Sequence, residues 1–294
     1  MHALHLRLPK NFVLEERLDR YADAIEAFPT SYAGRWAEAC APLTAQGLGR
    51  FREARLDLGC GKGAFLIEAA RREPDVLWVG IDNEPICIAY TAQGICEAGL
   101  ANAVVVPGSA EHVLSYFAQG ELARIYLNFP TPFPKRRHAT YRLTHARNLL
   151  LLRRVLAPTG TIVFKTDSEP LYLYSRPQFP VAGFHTLWTS EDVRADRPGD
   201  PVSGYERKLT AQGAQVYGIY AEPTPEPAPD PADIDAAESD IEQSLVKYLP
   251  DDLHSLGYVP HGMEATVVNL RNQRDKNNWR DKSNWRDKAD QGQL

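Results

Sequence analysis

The sequence has no long hydrophobic run and few cysteines, and each shortage excludes a class of protein. No apolar segment approaches the roughly 18 residues that a membrane-spanning helix needs, so a membrane protein is not expected. Residues 1–10 contain no continuous apolar stretch, which argues against a secretory signal and predicts a cytoplasmic protein. The 4 cysteines show no C-x-x-C pair and no metal-ligand spacing, so we expect reduced thiols and no metal: Cys40, Cys60, Cys87 and Cys96.

A net positive charge is also lacking, since the 294 residues carry a formal charge of −5. Such a charge argues at first against a nucleic-acid partner. The charges are segregated along the chain, however, so their sum does not exclude a local basic surface. The apolar fraction of 44% and the charged fraction of 24% are ordinary for a globular protein. The length allows one large domain or two small ones.

Strand-like and helix-like segments alternate from about residue 55 to residue 221, which predicts βαβ units and a parallel sheet. Short segments rich in valine, isoleucine, leucine or tyrosine are the predicted strands: 55–58, 77–81, 104–107, 123–127 and 161–165. Helices are predicted between them, over 63–72, 85–98, 111–117 and 140–155. Two later strands are expected to form a hairpin-like pair at the end of the sheet, 185–188 and 216–221.

The two ends of the chain differ from this pattern. Residues 1–54 are expected to form a helical segment that packs on the core, with helices over 15–27 and 32–41. Residues 223–294 begin with prolines among acidic and small residues, which predicts an extended linker, then an acidic helix over 233–247 and a strand over 264–270. The last part repeats Arg-Asp-Lys in step with tryptophan. It predicts a partly disordered basic tail, which either binds RNA weakly or has no specific role.

A glycine-rich turn joins the first predicted strand to the first helix of the sheet. It reads Leu-Asp-Leu-Gly-Cys-Gly-Lys-Gly over residues 56–63, and its glycines are Gly59, Gly61 and Gly63. Glycines here allow positive φ angles and a close approach of a ligand to the main chain. The spacing G-x-G-x-G differs from the G-x-G-x-x-G of dinucleotide-binding proteins. It is similar to the S-adenosylmethionine (SAM) loop of Rossmann-like methyltransferases, and a simple tight turn is the alternative.

Two carboxylates accompany this turn. Asp82 ends the second strand about twenty residues after the glycines, the spacing at which an acid reaches ribose hydroxyls. Asp57 lies inside the first strand, where an acidic side chain needs a partner. That partner is either the ammonium group of a methionine moiety or a cation of the protein itself. Together the two acids favour a nucleoside cofactor.

The most distinctive stretch, residues 126–138, follows the fourth strand and reads Tyr-Leu-Asn-Phe-Pro-Thr-Pro-Phe-Pro-Lys-Arg-Arg-His. Ligands of open α/β sheets bind beyond the carboxyl ends of the strands, so we expect this segment to overhang the site. Its prolines stiffen it, and Lys135, Arg136, Arg137 and His138 concentrate positive charge. A rigid basic segment beside a cofactor pocket suits a phosphate-rich substrate, whereas a solvated charged face is the alternative.

These blocks resemble the bacterial tRNA (guanine-N7)-methyltransferase family. The resemblance rests on residues 57–63, 80–82, 126–138 with 142–144, 164–167 and 203–208. It implies an α/β, Rossmann-like class I SAM methyltransferase fold over residues 55–222, with a mostly parallel seven-stranded sheet, helices on both faces and an antiparallel last strand. It also implies methyl transfer from SAM to N7 of a guanine in the variable loop of tRNA. The lone pair of N7 is free, so in-line attack needs no general base.

The resemblance further implies residue roles. The expected SAM-binding residues are Asp57, Gly59, Gly61, Gly63, Asp82 and Ser109. The expected tRNA-binding residues are Lys135, Arg137, Asp167, Ser203, Tyr205 and Glu206, and the expected catalytic residues are Thr131 and Asp167.

The chain departs from the family at two of these positions. Thr131 stands where the family has the aspartate of Asp-Pro-Trp-Pro, and Ser109 stands where it has an acid near the adenine. A tRNA-binding homologue without catalysis therefore remains an alternative. A SAM methyltransferase for a small molecule and, more distantly, an NAD-dependent enzyme are the others. The sequence does not decide between a monomer and a homodimer.

Overall fold

The computed structural model describes residues 12–40 and 51–290, with side chains described as far as residue 277. Its centre is a 7-stranded sheet in the order β3-β2-β1-β4-β5-β7-β6. The strands are β1 (Glu53–Leu58), β2 (Val76–Asp82), β3 (Ala103–Pro107), β4 (Leu122–Asn128), β5 (Leu156–Thr166), β6 (Phe184–Ser190) and β7 (Tyr217–Pro223). Every neighbouring pair is parallel except the two that β7 forms. The predicted mostly parallel sheet, its antiparallel last strand and the hairpin-like pair are confirmed.

Helices cover both faces of the sheet, as predicted. Successive strand side chains point to opposite faces, so neighbouring residues of β2 enter different cores. Leu77 and Val79 pack in the cluster that also holds Leu149, whereas Val76 and Trp78 pack with Phe65 on the other face. The helices that precede β7 in the chain are α1 (Leu14–Arg20), α2 (Trp36–Ala39), α3 (Ala64–Arg72), α4 (Pro85–Glu97), α5 (Val113–Tyr116), α6 (Ala146–Val155), α7 (Glu169–Val181), α8 (Val193–Asp196) and α9 (Gly204–Thr210).

Several predicted helices are shorter than their sequence patterns. The helix expected over 140–155 begins only at α6, because His145 has an extended backbone and its imidazole accepts the N–H of Arg147 at 3.2 Å as an N-cap. The helix expected over 15–27 ends at Arg20, and the one over 32–41 is reduced to α2, with residue 41 outside the described residues. The helix expected over 111–117 is a 3-10 turn, Ala110–His112, followed by α5.

Helix α7 was not predicted from the sequence, because three prolines lie within it. Pro170 occupies the first turn, where its missing N–H costs little, and the Ser168 hydroxyl accepts the N–H of Leu171 at 3.4 Å. Pro177 and Pro180 lie inside the helix, where each removes a backbone hydrogen bond. Burial of one helix face compensates for this loss; its fully buried side chains are Tyr174, Ser175, Gln178 and Phe179.

Residues 224–277, named here the C-terminal extension, contain α10 (Pro231–Glu238), a 3-10 helix (Leu245–Tyr248) and the start of α11 (Glu264–Asp290). The acidic helix predicted over 233–247 is therefore interrupted. The strand predicted over 264–270 is wrong, since this segment is helical. Met263 and Val267 are buried and Leu270 is partly buried, a spacing of i, i+4 and i+7 that belongs to one helix face. The Arg-Asp-Lys repeat, for which the sequence predicts no ordered structure, lies on α11.

The C-terminal extension shares one core with the sheet domain. Ile234, Leu245, Leu253 and Met263 belong to the same buried cluster as Leu149 of α6. Polar contacts join the two parts as well; they are the bidentate pair of Arg147 with Asp235, at 2.7 and 2.5 Å, and the pair of His145 with Glu238 at 3.4 Å. The extension is thus packed as an integral part of the molecule.

Candidate active site

The glycine turn has the backbone geometry that only glycine adopts readily. Gly59, Gly61 and Gly63 have φ angles of 79°, 55° and 73°. A Cβ at Gly63 would lie 2.7 Å from the Thr91 side chain, so packing requires glycine there. A Cβ at Gly59 or Gly61 would meet nothing within 4 Å. These two glycines therefore border open space at the carboxyl end of β1, where a ligand can approach the main chain.

Asp57 is the most unusual group at this turn. Its side chain is 1% exposed, and its Oδ1 accepts a hydrogen bond from the Asn128 amide at 3.2 Å. Its Oδ2 has no hydrogen-bond partner among the described residues. Burial raises the pKa of Asp57 to about 7, and the nearby Asp82 adds to this rise. A buried carboxylate without a cation is costly, so the position is suited to a positively charged ligand group.

Asp82 holds the glycine turn in place. Its Oδ2 accepts the N–H of Gly61 at 2.8 Å, and its Oδ1 accepts the N–H of Glu84 at 2.9 Å. Burial raises the pKa of Asp82, and these backbone donors oppose the rise. Each carboxylate oxygen has two lone pairs, so both can still accept a hydroxyl of a ligand. Ser109 follows β3 at the same sheet edge, with its hydroxyl 3.2 Å from the Nδ1 of His112.

Residues 129–135, named here the proline loop, are rigidly held in a strained conformation. Phe129 and Phe133 have φ angles of 52° and 47°, which are rare outside glycine and common at functional sites. The Arg142 side chain, 1% exposed, donates to the carbonyls of Pro132 at 3.0 Å and of Phe133 at 2.7 Å. It also packs on the Tyr174 ring, 4.3 Å from the ring centre. The loop is therefore fixed from the inside of the protein.

Exposed basic residues stand at the end of the proline loop and just after it. Lys135 ends the loop and is exposed, as are Arg136 and Arg137 in the 3-10 helix Arg136–Tyr141 that follows. Thr131 is also exposed on the loop. The structure thus exposes the side chains of Thr131, Lys135 and Arg137, which lie close together in the chain.

A second group of predicted residues meets beside this loop. Asp167, 8% exposed, follows β5 and accepts the hydroxyl of Tyr258 at 2.6 Å. Tyr205 is 40% exposed, and its ring lies 5.4 Å from that of Phe129 in the proline loop. Burial raises the pKa of Tyr205 to about 12, and the Asp167 carboxylate adds to this rise. Asp167, Tyr205 and the proline loop therefore surround the same space.

The predicted residues at the start of helix α9 differ in their exposure to solvent. The hydroxyl of Ser203 caps the helix by accepting the N–H of Glu206 at 3.0 Å. The Glu206 carboxylate is 2% exposed and forms an ion pair with Arg194 at 2.7 Å. Glu206 therefore points into the protein in this conformation, whereas Tyr205 points out of it.

Sequence reasoning missed several residues that build this site. Asn128 and Arg142 lie inside the family motifs. Their neighbours in the sequence do not indicate that Asn128 contacts Asp57 or that Arg142 contacts the proline loop. Lys165 is 2% exposed and pairs with Asp200 at 3.0 Å, and the hydroxyl of Tyr220 donates to the same carboxylate at 2.7 Å. Tyr258 gave no sequence signal, because 91 residues separate it from Asp167.

The described residues hold no group of three or more histidine, cysteine, aspartate or glutamate side chains arranged to bind a metal. In the same part of the chain, no helix has the length and apolar content required to cross a bilayer. The cysteines are unpaired.

Residues 52–219 match the model of a family described as "Putative methyltransferase". The tRNA (guanine-N(7)-)-methyltransferase of Geobacillus thermodenitrificans is 33% identical over 217 residues, which are 74% of this chain and 97% of that protein. The enzyme of the same name from Streptococcus pneumoniae is 35% identical over 168 residues, 57% of this chain and 80% of that protein.

Among solved structures, the 16S rRNA methyltransferase KamB gives a TM-score of 0.47 at 16% identity, covering 60% of this chain and 89% of that chain. The antibiotic-resistance methyltransferase Kmr gives 0.43 at 20% identity, with the same coverage. The family model matches more than half of this chain, and the Geobacillus enzyme is 33% identical over 74% of it. This chain therefore belongs to the tRNA (guanine-N7)-methyltransferase family.

Proposed function

We propose that this protein transfers the methyl group of SAM to N7 of a guanine in the variable loop of tRNA. The observation that carries the proposal is the position of Asp57. This buried carboxylate, whose Oδ2 lacks a partner in the described part of the chain, lies beside open glycine backbone. The rigid proline loop, the basic residues 135–137 and Asp167 are on the same sheet edge. A cationic nucleoside donor and a phosphate-rich acceptor therefore have adjacent sites.

The cofactor side of the site fits SAM, which supplies an electrophilic methyl group on its sulfonium. Asp57 would receive the ammonium group, which satisfies the oxygen that lacks a partner among the described residues. Asp82 would bind the ribose hydroxyls while it keeps the turn in place. The main chain of Gly59, Gly61 and Gly63 would lie against the donor, with Ser109 on the adenine side.

The acceptor side needs groups that orient a base, because N7 already carries a free lone pair. Asp167 is suited to accept hydrogen bonds from the Watson–Crick edge of the guanine, and the exposed Tyr205 offers a ring for stacking. The Thr131 hydroxyl can bond the base, although it supplies no negative charge. Catalysis then consists of in-line positioning at about 3–3.5 Å and of water exclusion.

The remaining residues of this side position the RNA. Lys135 and Arg137 would contact phosphates from the exposed basic segment, and Ser203 begins the helix that presents Tyr205. Glu206 acts through its pair with Arg194, which anchors that helix. We assign the chemistry to residues 55–222 and place the reaction in the cytoplasm, the compartment that a tRNA substrate implies.

The reaction is tested by incubating the protein with labelled SAM and a tRNA transcript, then identifying the modified nucleoside. We expect 7-methylguanosine at the variable loop, and no label in a matched transcript whose variable-loop guanine is replaced by adenine. RNA binding without transfer would instead indicate a non-catalytic homologue. Label found only in small metabolites would indicate a different methyltransferase.

Asp167→Asn tests the base-orienting role. The amide keeps the shape but loses the charge and one acceptor, so we expect turnover to fall about 100-fold or more, on the order of 3 kcal/mol of transition-state stabilisation. SAM affinity, measured by calorimetry, should stay within about twofold, because the cofactor is bound at the other end of the site. An equal loss of turnover and SAM affinity would contradict the assignment.

Lys135→Ala tests the phosphate contact. We expect weaker tRNA binding and a shallower salt dependence, by about one unit of slope, with unchanged SAM affinity. Arg52→Ala is the matched control, because it removes the same charge at the amino end of β1, the opposite edge of the sheet. Unchanged tRNA affinity in the Lys135 variant would reject this contact.

A further inference from the structure

The C-terminal extension touches the acceptor side of the site at three points. The Tyr258 hydroxyl donates to Asp167 at 2.6 Å, and the Leu245 N–H donates to the Pro134 carbonyl of the proline loop at 3.0 Å. Gly262, with a φ angle of 86°, lies so close to the loop that a Cβ there would be 3.1 Å from Pro132. Both the loop and the expected base-orienting carboxylate are therefore in contact with the extension.

The segment that carries Tyr258 is fixed on both sides. Leu253 before it is 2% exposed and Met263 after it is fully buried in the main core. The Arg271 guanidinium of α11 donates to the Leu253 carbonyl at 2.9 Å, and this hydrogen bond joins the start of the segment to the helix that follows it. Opening it would expose this apolar surface, so the extension is a permanent wall of the site and not a mobile cover.

Tyr258 is suited to orient a carboxylate. It is half-buried beside Asp167, Tyr205 and Glu264. Burial and the Asp167 carboxylate raise the pKa of Tyr258, so its hydroxyl remains a donor throughout the neutral range. A donor fixed on one carboxylate oxygen restricts rotation of the whole group and determines where the other oxygen points.

We propose that Tyr258 is a positioning residue for methyl transfer: it holds Oδ2 of Asp167 so that Oδ1 is directed to the guanine. This inference rests on the proposed function and adds to it. The match to the family model ends at residue 219, so the positioning group comes from a part of the chain beyond the matched region. The C-terminal extension thus completes a site whose other residues lie within the region that matches the family model.

Tyr258→Phe tests the inference, because it removes the hydroxyl and keeps the ring. With saturating SAM and tRNA we expect kcat to fall about 5- to 20-fold, and the KM for SAM to stay within about twofold. In an Asp167→Asn background the same substitution should cost less than about twofold, since the hydroxyl acts through that carboxylate. Tyr248→Phe is the matched control: its hydroxyl donates to the Glu242 carbonyl of the same extension, and kcat should not change.

Three results would overturn the inference. One is an unchanged kcat in Tyr258→Phe while the wild-type protein methylates tRNA. Another is a double variant whose loss of kcat equals the product of the two single losses, which would show that Tyr258 acts independently of Asp167. The third is a higher kcat or a tighter tRNA complex in Tyr258→Phe, which would show that the phenol competes with the guanine for the carboxylate. Failure of the wild-type protein to methylate any tRNA would instead reject the proposed function itself.

Discussion

At the scale of single residues, Asp57 shows how a fold prepares a side chain for a ligand. The free protein keeps this carboxyl buried, with one oxygen unsatisfied by the described residues, and its pKa rises to about 7. A bound ammonium group would remove that cost. The ligand-free protein is therefore less stable because of Asp57, and SAM binding would restore the lost stability. Both stability and SAM affinity should therefore respond to pH and to substitution here.

We expect SAM affinity to weaken by up to about tenfold per pH unit below about pH 7, because binding requires the ionised carboxylate. Asp57→Asn should bind SAM much more weakly and without this pH dependence. Calorimetric titrations between pH 5.5 and 8.5 measure both effects. A wild-type affinity that is flat across this range would contradict the role of Asp57.

The same substitution should stabilise the ligand-free protein. A folded-state pKa raised from about 3.9 to about 7 means that the stability of the wild-type protein falls as pH rises through this interval. Asp57→Asn removes this loss, by an amount on the order of 2–4 kcal/mol above pH 7 and by little near pH 4. Thermal unfolding of both proteins at several pH values tests the sign, and a pH-independent difference would contradict it.

At the scale of elements, the proline loop derives its shape from a neighbour in sequence. Prolines restrict it, but Arg142 selects the conformation by binding two of its carbonyls while two phenylalanines adopt positive φ angles. Because an arginine fork spans both carbonyls, a lysine cannot replace it with a single ammonium. The loop therefore depends on one buried guanidinium.

Arg142→Lys should lower the free energy of unfolding by about 1–3 kcal/mol, since it leaves a buried carbonyl without its donor. It should also reduce tRNA methylation while SAM affinity stays nearly constant. Limited trypsin digestion measures how accessible the loop is to the protease, and we expect faster cleavage after Lys135, Arg136 or Arg137 in the variant. Arg147→Lys is the control, because its pair with Asp235 is exposed and contributes little.

At the scale of the whole molecule, the C-terminal extension and the sheet domain fold around one core. Leu245, Leu253 and Met263 are buried in the cluster that covers one sheet face. The composition of residues 223–231 is that of a linker, yet the chain beyond it returns to the core. The boundary that the sequence predicts at residue 222 therefore separates two segments of the chain whose buried side chains pack in one common core.

Two truncations distinguish the parts of this segment. Ending the chain at residue 222 should prevent stable folding, because it exposes the apolar face that Met263 and its neighbours cover. Ending it at residue 277 keeps all of these contacts, so cooperative unfolding and SAM binding should persist. Met263→Ala in the full chain should cost about 2–4 kcal/mol, by the loss of a buried side chain. Equal stability of the two truncated proteins would contradict the shared core.

Ending the chain at residue 277 also tests the last two copies of Arg-Asp-Lys, which begin at Arg280 and Arg286. Comparing tRNA affinity against salt for the full chain and for the chain that ends at residue 277 measures how many phosphate contacts the removed residues make. A flatter slope after removal would favour weak RNA binding, and an identical slope would favour the absence of a specific role.

The sequence by itself determined the alternation of strands and helices around the parallel strands, the glycine turn and the motifs that indicate the family. Each of these depends on residues close together in the chain, such as the period of apolar residues or the φ angles that Gly59 and Gly61 allow. Only the tertiary structure decided that a segment with three prolines is α7 and that residues 264–270 are helical, because burial of one face outweighed local preference. It also decided the ionisation of Asp57 and the contact of Tyr258 with Asp167, since burial and contacts between distant residues arise only when the chain is packed.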